Sequence, residues 1–278
     1  MRVRPSFTLV TCLCVTVMWG QSKGLDRLYV FGDSHSDVGE GYLDGNGPTA
    51  VAYLAKRLGL VLARSNAPNS SDQSLDFAVS GAQTGRGPGR KVDTALLGYG
   101  MQNQVDDFAA RVSSGDIKFN SKTTLFFLAG GLNDGRLANQ TTIKNLEEEM
   151  KRLYASGARN FALALLPTAI PGFSAVGQRL NPELAKIPDE MAPQLPDAHI
   201  LLCLWGPFFD DVMNHAAKYG ITNTKDACAG RQLFHQDATP CPTPETYFYY
   251  HAEHPSTAVH KVVGDKLYDE LTQQGAGR

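Results

Sequence analysis

The sequence predicts an α/β fold, a parallel sheet of about five strands with helices on both faces, and three observations carry that expectation. Short apolar runs alternate along the chain with segments whose apolar residues recur at helical spacing. The connections between successive runs are long enough for the crossovers that parallel strands require. Three runs stop abruptly in turn-forming residues: Gly32-Asp33-Ser34, Ser80-Gly81-Ala82 and Gly130-Gly131-Leu132-Asn133-Asp134. With 278 residues, 42% of them hydrophobic, the chain can bury the core of one sizeable domain.

The N-terminal residues set Arg2 and Arg4 ahead of an apolar stretch from about Phe7 to Trp19. That is the layout of a secretory signal peptide over residues 1–22, with cleavage expected around residues 20–23 and a mature domain over residues 23–278. The apolar stretch is too short to span a bilayer comfortably, and no later one is longer, so no stable membrane anchor is expected. Residues 28–31 (LYVF) read as a buried strand, and residues 49–60, behind Pro48, as a helix. Residues 76–79 form a short strand candidate, 101–112 an amphipathic helix, and 123–129 (TTLFFLA) a buried strand. A charged helix over 141–156 is stopped by Gly157, and a strand over 160–166 is halted by Pro167. Residues 167–196, rich in Pro and Gly, read as a lid or substrate-side excursion, because a strand resumes at about 199–204. Residues 208–219 are helical in pattern, 220–246 read as a long polar loop, and 256–273 close the chain as a helix with Ser256 as a candidate cap.

Charge narrows the partners. The net charge is −2 with an isoelectric point near 6.4, and no basic run exceeds GRGPGRK at residues 85–91, which reads as a mobile loop. Nucleic acid and anionic membrane surfaces are therefore not expected as partners. Removing the leader removes Cys12 and Cys14. Of the remaining cysteines, Cys228 and Cys241 flank a polar loop and are disulfide candidates in an oxidising compartment, while Cys203 lies in an apolar run as a buried free thiol. No Cys-x-x-Cys or His-x-x-x-His pair falls among them, and Asp33, Asp37 and Asp134 lack calcium-loop spacing, so no metal is expected.

A serine hydroxyl becomes a useful nucleophile only when a base takes its proton, and acyl transfer also needs donors where negative charge develops on the carbonyl oxygen. Ser34 follows the first strand, at the end of an open α/β sheet where chemistry is usually placed. The Ser34 N–H, the Gly81 N–H and the Asn133 amide are candidate oxyanion donors. His254, directly before the closing helix, is the candidate base, and Asp33 and Asp134 are expected to support the loops.

Taken in order, FGDS with Ser34, SGA with Gly81, GLND with Gly131, Asn133 and Asp134, and HPS with His254 resemble the SGNH, or GDSL-type, serine esterases and lipases. The resemblance covers nearly the whole mature chain. It implies a flavodoxin-like three-layer α/β/α sandwich, Ser34 as nucleophile, His254 as base, Gly81 and Asn133 as oxyanion donors, and no cofactor. Two positions depart from the pattern. His35 stands where the family name has Leu, and His251 stands where the family usually places an Asp, three residues before the catalytic histidine. Glu253, a main-chain carbonyl and His251 itself are the candidate substitutes for that acid.

The function expected from these residues is a secreted serine hydrolase that cleaves carboxylic esters through an acyl-enzyme. Short-acyl, chiefly acetyl, esters of carbohydrates come first, because the loops expected near the site are polar and Gly-rich with no sustained apolar wall; GYLDGNG at residues 41–47 reads as a loop at the mouth of the site, where Asp44 or Asn46 could bond a polar substrate. Lipids or phospholipids with longer acyl chains are the alternative, with PTAIPGF at residues 167–173 as an apolar lid. A weakly active or inactive secreted binding protein of the same fold is a third reading. His35 is expected either to touch substrate or a leaving group or to sit neutrally at the surface, and His260 to be a surface or packing residue.

Overall fold

The structure is a computed structural model and describes residues 24–276; the leader expected over residues 1–22 lies outside the described residues. The first strand, β1 (Arg27–Gly32), is buried from Leu28 onward, as an unbroken apolar run in a doubly covered sheet should be. Next come α1 (Ala50–Arg57), the short strands β2 (Leu62–Arg64) and β3 (Ser74–Asp76), a hairpin of β4 (Pro88–Val92) and β5 (Ala95–Tyr99), and α2 (Met101–Ser113). They are followed by β6 (Thr124–Ala129), α3 (Asn139–Ala155), β7 (Asn160–Ala164), α4 (Pro171–Leu184), α5 (Ile187–Met191), β8 (His199–Cys203) and α6 (Trp205–Asn214). The chain closes with β9 (Asn223–Ala227), β10 (Tyr247–His251), β11 (His254–Pro255) and α7 (Thr257–Ala276).

Six strands form one parallel sheet in the order β2-β3-β1-β6-β7-β8. The chain moves outward from β1 to β2 and β3, then returns across β1 to β6, so the direction of winding reverses between the two central strands. Their register pairs Gly32 with Ala129, which brings the turns after β1 and β6 out side by side. A reversal of this kind opens a crevice at the carboxyl ends of the strands. Helices α1, α6 and α7 pack together, as do α2, α3 and α4, and right-handed crossovers place the two groups on opposite faces. The sheet centre is aromatic: Tyr29 lies 4.9 Å from Phe108 and 5.4 Å from Phe126, ring centre to ring centre.

The sheet has one strand more than the five read from sequence. Strand β2 has three residues on a sheet edge, none of them fully buried, and so carries no apolar run to announce it. Strand β3 ends at Asp76, earlier than expected, although Phe77 and Val79 still donate to the β1 carbonyls of Val30 and Gly32. The expected lid at 167–196 is instead α4 and α5. Pro171 starts α4, and Ile170 and Phe173 are buried in the core rather than displayed above a cleft. The expected mobile loop at 85–91 enters the β4–β5 hairpin. The expected loop at 220–246 contains β9, which pairs with β10, and is closed by the Cys228–Cys241 disulfide; Cys203 is free and buried.

Candidate active site

Glycine and aspartate build the crevice. A side chain at Gly32 would meet the Ala129 carbonyl at 2.7 Å, so only glycine lets β1 end this close to β6. The chain then turns tightly, with Ser36 and Asp37 both donating to the Asp33 carbonyl, and Ser34 stands at the start of this turn. The Asp37 carboxylate accepts from the N–H groups of Gly39, Gly41, Tyr42 and Ser80, tying the Ser34 loop to the segment that carries Gly81. Asp134 accepts from Thr84 N–H and from the Thr84 and Thr142 hydroxyls, which ties the Asn133 turn to that same segment. Asn133 donates one amide hydrogen to the Ala82 carbonyl at 2.9 Å, and among the described residues its other hydrogen has no acceptor. Gly81 has φ +79°, a left-handed conformation that glycine takes without strain. Asp134 and Asp37 thus each tie two loops together through their carboxylates. Asp33 is buried and accepts from the His35 N–H at 3.1 Å, inside the Ser34 turn.

Ser34 and His254 meet across 220 residues of sequence. Ser34 Oγ lies 2.8 Å from His254 Nε2, and His254 Nδ1 lies 2.8 Å from the Ala252 carbonyl oxygen. Of the three substitutes for the usual acid, the main-chain carbonyl is the one found at Nδ1. Glu253 has φ +63° and its carboxylate lies against Gly172 in α4, away from the imidazole. His251 points its Nδ1 at Asp44 Oδ1, 2.9 Å away.

Asp44 is more central than the sequence indicated. It is buried and faces inward, so it is not a surface group awaiting a polar substrate. Besides His251, its carboxylate accepts from Ser80 Oγ at 3.3 Å, lies 3.4 Å from His254 Nε2, and makes an ion-pair contact of 2.8 Å with Arg231 Nε that lacks hydrogen-bond alignment. Arg231 also places Nη2 3.2 Å from the Ala252 carbonyl and 2.5 Å from His254 Nδ1. A neutral imidazole serves these neighbours one at a time. With its proton on Nδ1 it donates to Ala252 and can accept the Ser34 proton at Nε2; with its proton on Nε2 it accepts from Arg231. Nothing in the sequence pointed to Arg231, which joins the site through the disulfide-closed loop. Asn46 accepts from Thr257 N–H at the start of α7 and is likewise committed internally.

Burial dominates the electrostatics. It pushes the His254 imidazole down to about 4, with Arg231 and His251 acting in the same direction and Asp44 opposing. Burial alone would raise the Asp44 carboxyl, but the hydrogen bond with His251 and the pull of His254 and Arg231 hold it below the ordinary aspartate value. Asp33 is raised to about 7 and Asp37 to about 6, both chiefly by burial. His35 is fully buried, packed edge-on against Phe173, Trp205 and Phe209, with its ring centre 5.1 Å from that of His254. It therefore neither reaches substrate nor lies at the surface, contrary to both expectations. Burial drives it well below the ordinary histidine value. His260 is a packing residue, and its Nδ1 accepts from Ala50 N–H at 3.1 Å. Among the described residues, no group of three or more His, Cys, Asp or Glu side chains is arranged to hold a metal.

The family model for GDSL-like lipases and acylhydrolases matches residues 28–267. A GDSL esterase/lipase of Arabidopsis thaliana is 23% identical over 270 residues, covering 80% of this chain and 70% of its own length. A second from the same plant is 24% identical over 156 residues, covering 48% and 43%. Among solved structures, the psychrotrophic esterase EstA of Pseudoalteromonas superposes with a TM-score of 0.47 at 14% identity, over 90% of this chain and 98% of that one. A catalytic mutant of Axe2, an acetylxylan esterase of Geobacillus stearothermophilus, gives 0.47 at 16%, over 90% and 96%. With the family match running from β1 into the closing helix, across all four sequence blocks, the chain belongs to the GDSL-like lipase/acylhydrolase family and is a carboxylic ester hydrolase.

Proposed function

We propose that this hydrolase is a secreted serine esterase that acts on short-acyl esters of carbohydrates, with Ser34 as nucleophile and His254 as general base. The observation that carries the reading is the 2.8 Å contact from Ser34 Oγ to His254 Nε2, with Nδ1 held by the Ala252 carbonyl. In this arrangement Nε2 takes the Ser34 proton as Oγ bonds to the substrate carbonyl carbon. The N–H groups of Ser34 and Gly81 and the free amide hydrogen of Asn133 stabilise the oxyanion. As the carbon–oxygen bond to the alcohol breaks, Nε2 returns the proton to the leaving oxygen. Water then repeats the sequence on the acyl-enzyme, and the free acid departs.

Two features support a small, polar substrate. Burial of Ile170 and Phe173 removes the apolar lid that a long acyl chain would use. A cleft of about 660 Å³ adjoins the loop of Asp37 and Asp44 and is lined by Tyr42, Arg64, Asn66 and Asp93 together with the apolar Leu43 and Leu233, a mixed surface that offers hydrogen-bonding groups beside that loop. Secretion is supported by the Cys228–Cys241 disulfide, a bond characteristic of oxidising compartments, and by the leader pattern of the sequence.

Hydrolysis of p-nitrophenyl esters from acetate to palmitate tests the reading. Turnover is expected to be highest on acetate and to fall by about a thousandfold or more in Ser34→Ala and in His254→Ala. Turnover that survives both substitutions would overturn the catalytic assignment, and a preference for palmitate would overturn the substrate class.

A further inference from the structure

In a serine hydrolase triad one aspartate does two jobs: it fixes the imidazole tautomer, and it stabilises the positive charge that appears when the ring takes the serine proton. At the position three residues before His254 this chain carries His251, which is not an anion. The first job is done by the Ala252 carbonyl, which accepts from Nδ1. A carbonyl brings no negative charge, so the second job is left open at a ring that is almost completely buried and faces the Arg231 guanidinium.

We propose that Asp44 performs this second job as the charge partner of His254, the carboxylate being supplied from the loop before α1 instead of from position 251. This rests on the reading of Ser34 and His254 given above. Asp44 Oδ2 lies 3.4 Å from His254 Nε2, close enough for two opposite charges in a buried site to interact strongly. The side chain is only 4% exposed, so solvent does little to screen it. His251, now occupying the usual acid position, fixes Asp44 through the 2.9 Å contact from Nδ1 to Oδ1, and Ser80 holds the other oxygen. Arg231, 2.8 Å from Oδ1, favours the ionised form, and Asp44 in turn offsets the guanidinium that opposes imidazolium formation. The charged and titratable groups facing His254 are thus Asp44, Arg231, His251 and the buried His35 and His260, both of which burial keeps neutral. Asp44 is the only carboxylate among them. It contacts His254 Nε2 but no substrate atom, acts only through that ring, and is a positioning residue.

The test combines kinetics on p-nitrophenyl acetate with an NMR titration of the His254 ring in wild type, Asp44→Asn and the double variant Asp44→Asn/His251→Asp. Asp44→Asn is expected to lower kcat by roughly tenfold to a hundredfold while leaving KM nearly unchanged, and to move the His254 titration to lower pH. Returning a carboxylate to position 251 in that background is expected to recover most of kcat and to move the titration back. In the wild-type protein, carbon NMR of the Asp44 carboxyl should show a second inflection when His254 titrates, a readout that needs no substitution to fold. Wild-type kcat with an unmoved His254 titration in Asp44→Asn would overturn the proposal. Equal losses of kcat in both variants with an unmoved titration would also overturn it, because they mark a purely structural residue. If wild-type turnover did not depend on Ser34, the nucleophile reading would fall, while the titrations would still decide whether Asp44 and His254 are coupled.

Discussion

In the proposed mechanism His254 must be neutral to accept the Ser34 proton, and its surroundings make protonation in the resting state difficult. Burial, assisted by Arg231, depresses the imidazole to about 4. The sign follows directly: the working, neutral form dominates above that value, and kcat/KM falls as pH drops through it. We expect the acid limb of kcat/KM near pH 4, well below the ordinary histidine value of about 6.5. A stopped assay on acetate esters measures it, and a limb near 6.5 would show that His254 is far better solvated than this geometry allows. At this scale the sequence was informative where chemistry demands a particular residue type. Ser34, Gly81 and Asn133 each follow an apolar run and His254 precedes a helix, and these local patterns are what made them candidates. It was silent about Asp44 as a neighbour of His254, because the partnership joins residues 210 positions apart through the short strands β10 and β11 and leaves no local pattern. His35 was misread because a histidine beside a serine nucleophile resembles a site residue, whereas the turn drives it inward among Phe173, Trp205 and Phe209.

Among the elements, the segment from β9 to β11 depends most on a covalent link. Strand β9 is polar, pairs with β10 at the edge of a three-stranded sheet, and carries the loop that delivers Arg231. The Cys228–Cys241 bond closes a loop with a sequence separation of 13, and the unfolded-chain entropy it removes corresponds to about 3 kcal/mol. The double replacement Cys228→Ser/Cys241→Ser should lower the melting temperature by several degrees. Thermal unfolding followed by circular dichroism checks this. An unchanged melting temperature would show that the loop is held by its hydrogen bonds alone. Such a segment is hard to read from sequence because its strands lack an apolar run. The same holds for β2 at the sheet edge, while β1 and β6, buried at its centre, were legible almost to the residue.

At the scale of the whole molecule, strand order does the work. Placing β6 beside β1, with β3 on the other side, brings three turns from distant parts of the sequence to one crevice, and α7 returns His254 to it. Alternation of strands and helices made the class of fold legible. The stretch at 167–196 was not, because Pro171 begins a helix here where proline and glycine together had indicated a lid or substrate-side excursion, and its apolar residues are spent on the core. The central claim is that this assembly converts Ser34 into a nucleophile through His254. The most direct test is covalent labelling of the folded protein with a fluorophosphonate, read by peptide mass spectrometry. We predict one adduct, on Ser34, formed rapidly in the wild type, much more slowly in His254→Ala and not at all in Ser34→Ala. An unlabelled Ser34, or labelling at the same rate without His254, would contradict the account.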